Sequence, residues 1–270
     1  MTNGDDAGYY VYGVIDADAE VESVIATSSA IDPHQPPYIV TAGTVAAVVS
    51  IVSLDDFGEA DLPERLNEPE WLLPRVAAHE DVLAHALARA TVIPFRFGTV
   101  YRDAASVEDF LRSHEAELAA TLRRLNGRIE IGVKAYVDRD RAAEVARRAD
   151  TDLSGLEAEL ADAPEGRAYM LRRRIDRMVE DAVQRREAEW SEASHDALSA
   201  AAEESRVNPI RSPTPDEPRS MILNGAYLVA SDGDLRQVAR DLEEQYGSAG
   251  FSVELTGPWP PYNFVEQGRA

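Results

Sequence analysis

The chain has no cysteine. Disulfides, thiolate nucleophiles and cysteine-based zinc sites are therefore excluded, and the composition fits a reducing compartment. It has a single lysine, Lys134, every other basic residue being arginine. Positive charge is scarce throughout: 27 Lys and Arg stand against 49 Asp and Glu in 270 residues, a formal net charge of −22. Phosphate binding needs a basic surface, so a general nucleic-acid partner is disfavoured. Long apolar runs are also missing. The longest apolar stretch, Val45 to Val52, falls far short of the roughly 18 residues of a membrane span and reads as a strand. Met1 to Gly8 is acidic and polar, unlike a secretory signal, and is expected to be disordered. The cytoplasm is the simplest location.

What is present suits a globular protein. The hydrophobic fraction of 44% is ordinary, and the length allows one large or two small domains. A surplus of acid with almost no lysine resembles proteins of salt-loving organisms. Dense carboxylates stay hydrated where the Debye length has shrunk to about 3 Å, as at molar salt.

The aromatic, β-branched run Tyr9–Ile15 reads as a strand, and Asp16 to Ile31 as a weak helix or irregular segment. Tyr38–Val40 and Val45–Leu54 form a hairpin around Thr41-Ala-Gly43, its second strand apolar enough for burial on both faces. Leu62 to Ala90 is helical, with Val76, Val82, Leu83, Ala86 and Leu87 at helical spacing. Thr91–Gly98 is a strand or strand-like turn. A helix spans Ala105–Leu125, its stripe formed by Val107, Phe110, Leu111, Leu118 and Leu122, and Asn126-Gly127 stops it. Arg128–Val137 alternates as a strand, with Ile129, Ile131, Val133 and Ala135 on one face. Arg139 to Arg206 is helical, broken near Asp150–Gly155 and at Pro164, with Met170, Ile175, Met178, Val179 and Val183 as its buried stripe and Arg172–Arg174 solvated. A proline-rich loop follows, then a strand over Met221–Ala230. A helix capped by Asp232 or Asp234 comes next, and last a strand over Phe251–Leu255.

This order suits an α+β protein of two ferredoxin-like domains, each an open antiparallel or mixed β-sheet covered by helices packed on one face and built from a split βαβ unit. The first domain is expected over 1–126. The second is expected over 127–270, with a long helical insertion (139–206), a proline-rich loop (207–220) and a proline- and aromatic-rich tail (257–270).

No enzyme class finds its signature. The histidines are His34, His79, His85, His114 and His195; His79 and His85 are six apart and do not share a helix face, so both are expected as exposed or half-buried helix residues. Carboxylates are too abundant for any pair to stand out. There is no Gly-x-Ser-x-Gly elbow, phosphate-binding loop or dinucleotide fingerprint. Neither a cofactor nor a metal site is implied.

Three segments are too idiosyncratic for generic core. In Pro94-Phe-Arg-Phe-Gly-Thr-Val-Tyr101, strand geometry puts Arg96 opposite Phe95 and Phe97. Either Arg96 pairs with an acid while the rings fill the core, or the segment is a contact surface. In Leu223-Asn-Gly-Ala-Tyr-Leu-Val229, Asn224-Gly225 suits a bulge or bend before Tyr227. In Leu255-Thr-Gly-Pro-Trp-Pro-Pro-Tyr-Asn-Phe264, three prolines stiffen a donor-poor segment, while Trp259, Tyr262 and Phe264 offer large area at low entropy cost. Such a tail staples back on its own domain, presents aromatics to another protein, or both.

In this order the segments resemble the gas vesicle protein F/L family, most closely an L-type member from a halophile. Arg96-Phe-Gly-Thr99, the Leu223–Val229 string and the Leu255–Phe264 string carry the resemblance. It implies a gas vesicle accessory or minor structural protein that binds the apolar shell protein (GvpA) and other accessory proteins during nucleation and assembly, located in the cytoplasm and on the vesicle. It implies two α+β domains, the N-terminal one modified ferredoxin-like, and no catalytic residue or cofactor. Arg96, Phe97, Asn224, Tyr227, Trp259, Tyr262, Asn263 and Phe264 are the candidate motif or partner-contact residues. The alternative is a small-molecule-binding regulatory module on a ferredoxin-like fold.

If the acid surplus is an adaptation to salt, dialysis from molar to low salt removes the screening between carboxylates. Circular dichroism is then expected to show loss of structure, and an unchanged spectrum would count against the adaptation.

Overall fold

The structure, a computed structural model, describes residues 7–210 and 219–265. These residues fall into two compact units, one of residues up to Glu130 together with those from Trp259, the other Ile131–Pro258.

Unit 1 contains β1 (Ala7–Asp16), α1 (Glu22–Ile25), β2 (Tyr38–Ala42), β3 (Val45–Ser53), α2 (Leu54–Phe57), α3 (Leu62–Arg65), α4 (Pro69–Leu87), β4 (Ile93–Pro94), β5 (Val100–Tyr101) and α5 (Ala104–Leu125). Its sheet has the order β2–β3–β1–β4, and β5 also pairs with β1. The β2–β3 hairpin sets β3 antiparallel between β1 and β2, the arrangement of a split βαβ unit. The first strand begins at Ala7, so Ala7 and Gly8 are ordered where disorder was expected; Met1–Asp6 lie outside the described residues. Asp16–Ile31, expected as a weak helix or irregular segment, is irregular apart from the single turn of α1.

A register shift between Val11 and Gly13 inserts one extra residue into β1. The extra residue changes the alternation, so Ile15 rather than Val14 joins Tyr10 and Tyr12 on one face. There they meet Val48 and Val52 of β3 and Trp71, Val82, Leu83 and Ala86 of α4. The long amphipathic α5 packs on β1, β2 and β3, burying Val107, Leu111, Leu118, Leu122 and Leu125. Helices thus cover the sheet of unit 1 on both faces and not on the one face expected, which is why β1 and β3 are buried almost throughout. Asp103 caps α5 by accepting from the Ser106 N–H at 2.7 Å, and Gly127 follows it at φ 71°, a left-handed conformation natural to glycine.

Unit 2 is built from β6 (Ile129–Val137, whose first two residues belong to unit 1), α6 (Arg139–Ala149), α7 (Thr151–Ala161), α8 (Glu165–Ala200), β7 (Glu204–Val207), β8 (Ser220–Val229), α9 (Gly233–Tyr246) and β9 (Phe251–Trp259). The order β7–β8–β6–β9 repeats the arrangement of unit 1. The helical stretch expected over 139–206 ends at Ala200, and its last residues form β7, antiparallel to β8. That strand supplies the fourth position of the repeated order. Its sequence, Glu-Ser-Arg-Val, is polar because it is an edge strand with little to bury. Of the proline-rich loop, residues 211–218 lie outside the described residues.

Other expectations shift for local reasons. Gly155 lies inside α7, and the break falls at Asp150, whose carboxylate caps α7 through the Asp152 and Leu153 N–H groups. Asp232 precedes α9 without a side-chain cap bond and instead meets Arg236 at 2.5 Å. Met170 lies outside the stripe of α8: it is 64% exposed while Leu171, Ile175, Val179 and Val183 are buried.

Gly13 lies where β1 and β4 approach most tightly. A Cβ there would stand 2.7 Å from the Ile93 carbonyl oxygen and 3.0 Å from the Val92 side chain. Gly13→Ala is therefore expected to lower unfolding stability by roughly 1–3 kcal/mol, the usual scale of overpacking, read as a shifted urea midpoint at unchanged slope.

Candidate functional site

Beyond Trp259 the chain has two prolines and then a single 3-10 turn, Tyr262–Phe264. No strand ladder is available to a segment so poor in donors, so side chains of unit 1 hold it. The Phe264 ring is buried, about 1.5–3 kcal/mol of apolar burial for a side chain of its class. Its carbonyl accepts from an Arg124 guanidinium N–H. Asn263 gives its backbone N–H to Glu130 Oε2 at 2.8 Å and its side-chain amide to Glu130 Oε1 at 2.6 Å. Glu130 is buried, which pushes its carboxyl pKa up, while the two Asn263 donors pull it back.

Tyr262 completes the fastening. Its hydroxyl lies 3.0 Å from His79 Nε2 and donates to Glu80 Oε1 at 3.0 Å. On the other side of the imidazole, Nδ1 is 2.8 Å from the Tyr10 hydroxyl, which itself accepts the Gly98 N–H at 3.2 Å. The proton order follows from these partners. The single hydroxyl proton of Tyr262 goes to Glu80, so His79 Nε2–H donates to Tyr262 and Nδ1 accepts from Tyr10. The imidazole is therefore neutral. Burial lowers its pKa from 6.5 to about 4. Burial also raises Glu80, against the opposing bond from Tyr262, and raises Tyr262, with the charge of Glu80 adding to the effect. The relay fits tightly between rings: Tyr12 stacks on His79 with centroids 5.7 Å apart, and Phe97 meets it edge-on at 5.9 Å.

The candidate residues named from the sequence divide accordingly. Tyr262, Asn263 and Phe264 are brought together on unit 1. Phe97 packs in the same cluster, edge-on to Trp71 and Tyr10. Arg96 is exposed, with no ion pair among the described residues. Its carbonyl accepts the Thr99 N–H at 3.2 Å and hydroxyl at 2.8 Å, closing a turn around Gly98 at φ 87°. Arg96-Phe-Gly-Thr99 is thus a turn that aims the Gly98 N–H at Tyr10, so the segment expected as a strand or strand-like turn is strand at Ile93–Pro94 and turn beyond it. Trp259 stays 40% exposed.

Asn224 and Tyr227 form a separate cluster in unit 2. Asn224 donates its side-chain amide to the Pro209 carbonyl at 3.1 Å and accepts the Asn208 N–H on its own carbonyl at 2.7 Å. Tyr227 is fully buried, its hydroxyl 3.0 Å from His195 Nδ1. No register shift occurs between β7 and β8 from Val207↔Gly225 to Glu204↔Leu228, so that pairing carries no bulge at Gly225. Gly225 serves a close approach instead: a Cβ there would lie 2.5 Å from the Tyr227 ring.

Tyr10, His79, Glu80 and Glu130 were not singled out from the sequence. His79 was expected as an exposed or half-buried helix residue and is 1% exposed. Its spacing did hold a signal, because it sits three and four residues before Val82 and Leu83 in the buried stripe of α4. Among the described residues no group of three or more His, Asp or Glu could hold a metal ion, and no helix is long and apolar enough to cross a membrane.

A family model described as gas vesicle synthesis protein GvpL/GvpF matches residues 8–266. Gas vesicle protein L of Streptomyces sp. (strain CB03234) is 32% identical over 232 residues, 86% of this chain and 84% of that protein. Gas vesicle protein F of the same strain is 32% identical over 258 residues, 95% of this chain and 99% of that protein. The crystal structure of the gas vesicle protein GvpF from Anabaena sp. PCC7120 superposes with a TM-score of 0.67 at 20% identity, covering 97% of this chain and 98% of that one.

The depressed pKa of His79 carries a pH dependence. Its folded value, about 4, lies below the unfolded 6.5, so on acidification the unfolded chain takes up a proton first. Stability is full above pH 6.5 and is lost as pH falls towards 4, by about 3 kcal/mol. Glu80 and Glu130 act in the opposite direction, because a raised carboxyl pKa is relieved by acid. They remain in His79→Gln, so the difference between wild type and that variant isolates the histidine. Urea midpoints measured from pH 7 to 4 are expected to fall more steeply for wild type, and parallel curves would refute the neutral buried imidazole.

Proposed function

The chain belongs to the gas vesicle synthesis protein GvpL/GvpF family, and on that premise we propose that it is an accessory protein of gas vesicle assembly. In this reading it binds the small apolar shell protein and sister accessory proteins during nucleation and growth of the shell, in the cytoplasm and at the vesicle. An apolar, aggregation-prone subunit needs a partner that covers its exposed surface and keeps the complex in solution. A net charge of −22 supplies the solubility.

The observation that carries the contact is Trp259. The residue is 40% exposed on a segment whose following residues are fixed by Phe264, Asn263 and Tyr262. A large ring presented on an already ordered backbone loses little entropy when a partner covers it, the condition met by aromatic hot spots. Fastening and presentation are then two roles of one tail: Tyr262, Asn263 and Phe264 anchor it, and Trp259 makes the contact.

Co-purification with the shell subunit tests the assignment. Trp259→Ala is expected to weaken binding by at least about tenfold, the scale of a hot-spot truncation, in a chain that still folds. Tyr262→Ala is expected to weaken binding and lower the melting temperature together, because it unfastens the tail. Binding retained by both variants in a folded chain would remove the tail as the contact site and leave the family membership untouched.

A further inference from the structure

In a chain where acids outnumber bases nearly two to one, one stretch of helix is rich in arginine, with Asp176, Glu180 and Asp181 as the acids on the same side. Five arginines lie between residues 167 and 177 of α8: Arg167, Arg172, Arg173, Arg174 and Arg177. The buried stripe of this part of the helix is Ala168, Leu171, Ile175 and Val179. On the opposite side Tyr169, Arg173 and Arg177 follow one another at i, i+4 spacing, and Met170 and Arg174 form a parallel row beside them. Tyr169 is 57% and Met170 64% exposed, each at the head of one of the two rows. Gly166, one turn before Met170, leaves open space where a side chain would stand.

The charges of this face are not consumed within the protein. Arg167 pairs with Glu159 at the flank. The Arg173 guanidinium stands 5.9 Å from the Tyr169 ring centroid, and Arg177 reaches only the Arg173 carbonyl, at 3.3 Å. Among the described residues Arg173, Arg174 and Arg177 have no carboxylate partner, although the chain carries 49 acids. Many other described arginines, Arg65, Arg112, Arg139, Arg148, Arg219 and Arg236 among them, do have one.

We propose that the exposed face of α8 formed by Tyr169, Met170, Arg173, Arg174 and Arg177 is a docking surface for an acidic segment of a partner protein that carries an apolar side chain. Charge complementarity selects the occupant. Guanidinium groups take carboxylates with two parallel donors, and Met170 with Tyr169 supplies the apolar patch that distinguishes such a segment from a merely acidic one. Nucleic acid offers no aliphatic side chain to Met170 and Tyr169, which disfavours it as the occupant. The surface lies within unit 2 and does not involve Trp259, so it stands or falls independently of the shell-protein contact.

The test is a fluorescence anisotropy titration of the full chain with a labelled helical peptide that alternates glutamate and leucine at i, i+4 spacing. Binding is expected at about 0.15 M salt and is expected to weaken without vanishing at about 1 M, where charge is screened and apolar contact is not. The double variant R173E/R177E is expected to reduce affinity by about tenfold or more, the sum of several surface pairs lost or reversed. M170S is expected to reduce it severalfold. The double variant should melt as wild type does, because both side chains are exposed. R172E, set beside the single variants R173E and R177E, makes the same charge change off this face, between buried Leu171 and Ile175, and is expected to have little effect. An equal loss in R172E would reduce the effect to net charge and overturn the proposal. So would absence of peptide binding. Equal or tighter binding of single-stranded DNA or of anionic phospholipid vesicles would assign the face to those ligands instead. Self-association in sedimentation that M170E abolishes would assign it to a second copy of this chain.

Discussion

A carboxyl-terminal segment with prolines at 258, 260 and 261 has few backbone donors, so whatever fixes its position must come from elsewhere in the chain. In unit 1 that task falls to His79, Glu80, Arg124 and Glu130. His79 is the centre, because an imidazole closed off from water must satisfy both nitrogens within the protein. It does so between Tyr10 on the first strand and Tyr262 near the end of the chain, 183 residues apart from the latter in sequence. Several sequence features make sense only around this constraint. The turn Arg96–Thr99 aims an N–H at Tyr10, Phe97 closes the side of the imidazole, and Asn263 fills both oxygens of an otherwise isolated buried carboxylate.

The rings of the tail differ in how far they are covered. Phe264 and Tyr262 are used up by packing and hydrogen bonding, while Trp259 keeps a large part of its surface accessible. The same separation holds along α8, where Leu171 and Ile175 are core and the intervening Tyr169 and Met170 are not. A chain this acidic resists self-association by long-range repulsion. Specific contact therefore depends on local departures from the average: an exposed indole at one place, a row of arginines beside apolar side chains at another.

The two units reach the same strand order from different sequences. In unit 1 the hairpin β2–β3 is strongly apolar and short-looped; in unit 2 the corresponding pair β7–β8 joins a polar edge strand to a buried one. Each unit also contains a glycine at a position of close approach, Gly13 beneath the β4 backbone and Gly225 beneath the Tyr227 ring. Neither requires an unusual φ. What each requires is the missing Cβ, so that a carbonyl or a ring can occupy its place.

The local periodicities were legible from the residues alone. The continuous apolar run of β3, the stripe of α5, the alternation of β6 and the stop at Asn126-Gly127 follow from burying one face or two with period 2 or 3.6, and each appears where the pattern puts it. The family was equally legible, since the order of three uncommon strings needs no structure to be recognised. Tertiary structure alone decided the rest. That residues 259–264 pack on unit 1, that β7 is a strand, that Met170 faces outward and that His79 and Glu130 are buried polar anchors all depend on partners distant in the chain. A hydrogen bond or a packed edge between such partners leaves no periodic trace in either segment. The tail announced itself as unusual by its prolines and aromatics, but what holds it lies in an α4 histidine and a β6 glutamate whose sequence surroundings are ordinary.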